Sequence, residues 1–223
     1  MAYDTVVPSE PNPAVDGDEP EYIRPGLVPD QTKNHERTGV THLVHVWFAQ
    51  GHPVSDYMVR SCKGAGAVKR YYHQSQALAR SIGYKFSVSF PHYHTLYSNA
   101  FKKGAFYHED PGPFLGRAIV WKLQVGVHVD GQDEGPTAIF NSGDYEGGDL
   151  YLPDLKLKLA YRPGDVVILM SGCLYHAVSE WKPTHATPGQ TLTPGRVGNV
   201  FFFPHASYEA LSRCEADSIH YVL

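Results

Sequence analysis

Residues 118–130 read AIVWKLQVGVHVD, and this stretch decides the fold. Trp121, Leu123, Val125 and Val127 alternate with Lys122, Gln124, Gly126 and His128. That period of two belongs to a half-buried strand, whose successive side chains leave opposite faces. Working outward, short strand-like runs follow at Gly148–Leu152, Lys156–Tyr161, Asp165–Met170, Tyr175–Trp181 and Gly198–Phe203. Turn signals part them at Gly131, Gly147-Gly148, Pro153-Asp154, Pro163-Gly164 and Pro194-Gly195. Strands spaced by about ten residues with short turns predict a sandwich or barrel. Upstream, Thr41–Phe48 and Tyr84–Phe90 read as strands, the second ended by Pro91. Between them Val68, Tyr71, Tyr72, Leu78, Ala79 and Ile82 fall at helical spacing, and Gly83 supplies a stop. The alternation also predicts that Trp121, Leu123, Val125 and Val127 form one apolar face against Val68, Tyr71 and Leu78. The expected class is mainly β with flanking helices.

The length of 223 residues suits a single domain, with 42% hydrophobic and 19% charged residues. No apolar run approaches the ~20 residues of a membrane-spanning helix, so no membrane partner is expected. Residues 1–39 hold Pro8, Pro11, Pro13, Pro20, Pro25 and Pro29 among many acids, with little apolar periodicity. They read as an N-terminal arm, leaving 40–223 as the folded domain. The acidic start, Met1-Ala2-Tyr3-Asp4, does not read as a targeting peptide. Cys62, Cys173 and Cys214 are too few and scattered for a disulfide scaffold or a cysteine zinc site. An intracellular, reduced protein, in cytoplasm or nucleus, is therefore expected, and a monomer is the expected state. Charge is uneven: residues 60–122 carry a net +8, and the segments before and after carry −6 each. A basic segment of that kind can face nucleic acid, although the overall −4 argues against tight non-specific DNA binding.

Thirteen histidines direct attention to metal chemistry. In an extended segment His128 and Asp130 project to the same side. With His176 from a facing strand they would form a two-histidine, one-carboxylate face with open positions, the arrangement that suits non-haem Fe(II). A second such motif, His108-Glu109-Asp110, lies in a Pro/Gly loop with no strand before it and is the poorer candidate. Arg196, before Phe201-Phe202-Phe203, offers a planar fork for a carboxylate. The triple phenylalanine reads as packing rather than a platform for bases.

The order of these signals over residues 117–204 resembles the double-stranded β-helix core, jelly-roll or cupin-like, of Fe(II)/2-oxoglutarate oxygenases. The matching series is His128-Val129-Asp130, Gly147-Gly148-Asp149-Leu150, Pro163-Gly164-Asp165, His176 and then Arg196. Within that superfamily the stretch Gly147 to Leu155 is most similar to fungal members of the TET/J-binding-protein group, which oxidise thymine or 5-methylcytosine. The resemblance implies that His128, Asp130 and His176 hold Fe(II), and that Arg196 pairs with the distal carboxylate of 2-oxoglutarate. Asn99, Lys122 and Gln124 could line the cosubstrate pocket. The implied reaction consumes 2-oxoglutarate and O2, oxidises a C–H bond of an organic substrate, and releases succinate and CO2. Many relatives carry a Ser two residues after the Arg. Here that position is Gly198, so a Tyr or Asn has to help, or binding is weaker. The substrate stays open between a methylated DNA base, a small molecule and a peptide, and a non-oxygenase cupin-like metal protein is the alternative.

Overall fold

Two antiparallel sheets enclose an apolar interior, and helices cover the outer side of the larger one. The computed structural model describes residues 22–23, 39–47, 62–105, 107–186, 188 and 193–214. In chain order the elements are β1 (Tyr22–Ile23), β2 (Gly39–Val44), α1 (Cys62–Ser89), α2 (Pro91–Gly104), β3 (Gly116–Trp121) and β4 (Gln124–Val125). Then come β5 (Thr137–Gly147), β6 (Leu150–Leu152), a 3-10 turn (Pro153–Leu155), β7 (Leu157–Leu159) and β8 (Val166–Leu169). The last are β9 (Ala177–Val178), β10 (Trp181–Pro183), β11 (Gly195–Phe202) and α3 (His205–Arg213). The large sheet runs β2-β3-β11-β5, with β8 and β10 pairing the far edge of β5 at its two ends. The smaller sheet runs β7-β6-β9. Beside β9, His128 and His176 exchange both backbone hydrogen bonds, at 3.0 and 2.9 Å, and β1 pairs with β4. The fold is mainly antiparallel β with a few flanking helices, a jelly roll of the double-stranded β-helix type.

The two faces of the large sheet have different partners. Ile139 and Val200 turn inward to Leu150, Leu152, Tyr161 and Leu169. Ala138, Phe140 and Phe201, one residue along, turn outward to Ile82, Phe86, Tyr97 and Leu211 of the helices. Phe201 and Phe203 are thus core residues, as their clustering suggested. No helix among the described residues is long and apolar enough to cross a membrane.

Three readings need correction. Tyr84–Phe90 is not a strand: α1 runs on to Ser89, because Ile82 and Phe86 extend the buried stripe of Val68, Tyr72 and Ala79. Gly83 does not stop the helix. A Cβ there would lie 3.2 Å from Pro113 Cδ, so the glycine lets α1 press against that loop. Pro91 opens α2 at its first turn, where its missing N–H costs nothing. Residues 118–129 are not one strand either. Lys122 adopts φ 51° and divides them into β3 of the large sheet and β4 beside the smaller. Trp121 accordingly packs with Leu43, Val68 and Tyr72, whereas Leu123 and Val125 pack with Val120, and Leu78 is exposed. Finally, β5 is the longest strand and fell between the predicted ones. Of the N-terminal arm, only Tyr22–Ile23 and Gly39 are described, and the remainder lies outside the described residues together with Phe48.

Candidate metal and carboxylate site

His128 and His176 lie just outside β4 and β9, not within the strands expected to carry them, and the isolated β-bridge that joins them also aligns their side chains. Their ring centroids lie 4.2 Å apart. Each Nδ1 is 2.9 Å from a backbone carbonyl two residues upstream, Gly126 O for His128 and Leu174 O for His176. A carbonyl only accepts, so both Nδ1 atoms carry the proton; each Nε2 therefore donates to Asp130 when its ring is charged and offers a lone pair to a metal when the ring is neutral. Asp130 sits between them, Oδ1 at 3.4 Å from His128 Nε2 and Oδ2 at 3.5 Å from His176 Nε2. One ligand atom from each residue falls within 4.8 Å of the others, a grouping of the kind that can hold a metal ion. The Asp130 N–H donates to Ser171 O at 2.9 Å, which fixes the backbone beneath the carboxylate. Burial pushes the Asp130 carboxyl upward, but the hydrogen bonds and charges of His128 and His176 outweigh it and hold the group well below the usual range. For His176, burial lowers the value and the Asp130 contact raises it, and the net direction is upward. Two imidazoles and one carboxylate on one face fit a first-row divalent metal and leave coordination positions free.

Arg196 lies on β11 with the parity of Val200, so it faces the interior between the sheets. It is 3% exposed, and no carboxylate pairs with it among the described residues. Its guanidinium donates to Asn141 Oδ1, and its Cζ lies 5.9 Å from the Tyr161 ring centroid. Its Nε is buried without a partner. A charge buried without its counter-charge is costly, and a bound anionic group would complete it.

A solved structure of NgTET1 in complex with 5mC DNA is similar to this chain. The match covers 80% of this chain and 66% of that one, with a TM-score of 0.55 at 16% identity. A structure of OsALKBH1 aligns with 56% of this chain and 64% of its own, at 21% identity and a TM-score of 0.37. No protein-family profile matches the sequence, and no curated protein does. The likeness to NgTET1 is one of fold, over less than two thirds of that chain.

The remaining residues of interest fall in different places. Gln124 is buried, donates its Nε2 to Val178 O and leaves Oε1 without a partner. Asn99 is exposed on α2, whose buried face packs against the outer side of the large sheet, so the structure does not bring it to Arg196. His108 is exposed and Asp110 is buried in an ion pair with Arg117, both apart from the triad. Sequence reading missed Asn141 and Tyr145, which sit in the unrecognised strand β5, and passed over Tyr161, which stands beside a Pro-Gly turn. Only the empty side-chain position of Gly198 signalled that some such neighbour was needed.

Proposed function

We propose that this chain is an Fe(II)/2-oxoglutarate-dependent dioxygenase that oxidises a C–H bond of an organic substrate and releases succinate and CO2. One observation carries the reading: His128, Asp130 and His176 bring an Nε2, a carboxylate and an Nε2 together on one face. The buried Arg196, which has no carboxylate partner among the described residues, and the jelly-roll fold support it. In this reading His128, Asp130 and His176 hold Fe(II), which when bound supplies open positions for a chelating cosubstrate and O2. The backbone carbonyls of Gly126 and Leu174 keep both imidazoles turned toward the metal. Arg196 receives the distal carboxylate of 2-oxoglutarate through its fork, and Gln124 is a candidate to touch the same cosubstrate.

For the substrate we infer a 5-methylpyrimidine base in DNA, supported by the fold shared with a protein solved on 5mC DNA. The helices α1 and α2 add seven Lys/Arg and no Asp or Glu. One placement favours the second reading, a small molecule or peptide. Those helices pack on the outer face of the large sheet, whereas the triad is built beside the smaller sheet. Cations so placed do not by themselves grip the phosphates that flank an extruded base. The test is aerobic incubation with Fe(II), 2-oxoglutarate and either methylated DNA or a metabolite and peptide pool. Succinate is measured together with one-oxygen gain by mass spectrometry. Oxidised 5-methylpyrimidine is expected. Succinate with a modified small molecule or peptide would instead establish the second reading. Iron binding with no succinate from any pool would leave a cupin-like metal protein.

A further inference from the structure

Arg196 is surrounded by polar groups from strands and turns that are not its sequence neighbours. On β5, Asn141 lies opposite Gly198 in the register. A Cβ on Gly198 would come within 3.3 Å of Arg196 Nη1, so the glycine leaves room for the guanidinium against β11. Asn141 Oδ1 accepts from Arg196 Nη2, and Asn141 Nδ2 donates to the Tyr161 carbonyl at 3.4 Å. The Tyr145 hydroxyl donates to that same carbonyl at 3.3 Å. The carbonyl of Tyr161 is thus doubly engaged, whereas its hydroxyl, in a residue 2% exposed, has no partner. Arg196 Nε is likewise buried without one. Native interiors rarely leave such groups unmet, and each needs a reason.

Both orphans can donate, and with Arg196 Cζ 5.9 Å from the Tyr161 ring centroid an acceptor-only group with two oxygens is the kind of partner that would suit both. Burial pushes the Tyr161 phenol upward against the opposing charge of Arg196, so the hydroxyl keeps its proton. We propose that Tyr161 is the second anchor for the carboxylate held by Arg196, and that Asn141 is the positioning residue that aims the guanidinium. The pair takes over the donor that Gly198 lacks. This rests on the reading of Arg196 as the 2-oxoglutarate anchor, and the ligand class is the free end of a short acyclic dicarboxylate.

The experiment measures 2-oxoglutarate binding calorimetrically to protein loaded with Mn(II) without oxygen, together with Mn(II) affinity and the melting temperature of the unliganded protein. Tyr161→Phe should weaken 2-oxoglutarate about tenfold or more, with Mn(II) affinity intact and melting temperature unchanged or higher, since only an unsatisfied hydroxyl is removed. Asn141→Asp places a carboxylate against Arg196. It should raise the unliganded melting temperature while weakening 2-oxoglutarate by about a hundredfold. Wild-type affinity in Tyr161→Phe, with binding lost in Arg196→Ala, would overturn the second anchor and spare the first. A lowered unliganded melting temperature in Tyr161→Phe, with wild-type affinity, would make Tyr161 structural and equally overturn it. Wild-type affinity in Asn141→Asp would remove Asn141 from the arrangement. Wild-type affinity in Arg196→Ala would overturn the cosubstrate reading itself, and this inference with it.

Discussion

At the scale of the residue, both imidazoles are set for a metal by bonds that belong to the protein alone. Each Nδ1 is committed to a carbonyl two residues upstream, at 2.9 Å, so neither ring has to choose a tautomer when a cation enters. Losing a supporting bond of that kind typically costs ~10–100-fold in metal affinity, and losing a ligand should cost more. His176→Ala is therefore expected to lower iron occupancy by over about a hundredfold, read by elemental analysis after dialysis. Full occupancy in that variant would remove His176 from the metal. Arg196 makes a separable claim, because it touches none of the three. Arg196→Ala should raise the 2-oxoglutarate concentration for half-maximal succinate formation by about a hundredfold or more, in line with the ~3–5 kcal/mol of a broken buried pair. Iron content should stay at the wild-type level. Arg196→Lys should recover part of the loss, since one ammonium cannot reproduce a two-pronged contact. An unchanged requirement in Arg196→Ala would place the cosubstrate elsewhere.

At the scale of the element, the site depends on how closely β5 and β11 approach. Gly143 faces Arg196 in the register, at φ +101°, and a Cβ there would lie 2.1 Å from Gly195 O. Gly143→Ala meets both an unfavourable backbone conformation, typically ~1–3 kcal/mol, and a collision with a strand that cannot yield cheaply. It should lower stability by at least about 2 kcal/mol in chemical denaturation, and a wild-type midpoint would show that the strands part more easily than their geometry implies. The same pairing explains what could be read beforehand. His128 and Asp130 stood out because a His-x-Asp spacing is a local signal, whereas His176, far along the chain, was reached through the order of the motifs around it. The short strands of the smaller sheet were legible because Gly and Pro turns bracket them. β5 was not, since Thr137 to Asn141 are buried on both faces and show no alternation. Nor was the break at Lys122, because the apolar rhythm of 118–129 continues across it while the chain changes sheets. Asn141 and Tyr161 reach Arg196 through register and a distant turn, and no spacing along the chain encodes either.

At the scale of the whole molecule, a second buried ionic group ties the layers together away from the site. Asp110, from the loop before β3, accepts from Arg117 Nη2 at 2.6 Å and from His45 Nε2 at 3.0 Å. His45 Nδ1 in turn accepts from the Tyr107 N–H, so its Nε2 carries the proton that Asp110 receives. The Tyr72 ring of α1 stacks on His45, and Arg117 lies 4.0 Å over the Phe201 ring, so the group joins β2, β3, β11, α1 and the loop. Burial pushes the Asp110 carboxyl up, while the Arg117 charge and the His45 hydrogen bond pull it down, with a net direction below the ordinary value. A carboxyl whose folded pKa lies below its unfolded one, ~3.9, binds protons more readily when unfolded. Its contribution is complete above the unfolded value and is lost as pH falls through the folded one. Asp110→Asn leaves Arg117 buried without its charge partner, and should cost ~3–5 kcal/mol at neutral pH. The gap in melting temperature between wild type and Asp110→Asn should therefore be flat from pH 8 to 5 and narrow below about pH 4. Comparing the two proteins isolates Asp110 from Asp130, whose own depressed carboxyl acidifies both alike. A gap that stays constant into strong acid would show that Asp110 stabilises the fold by shape and hydrogen bonding, without its charge.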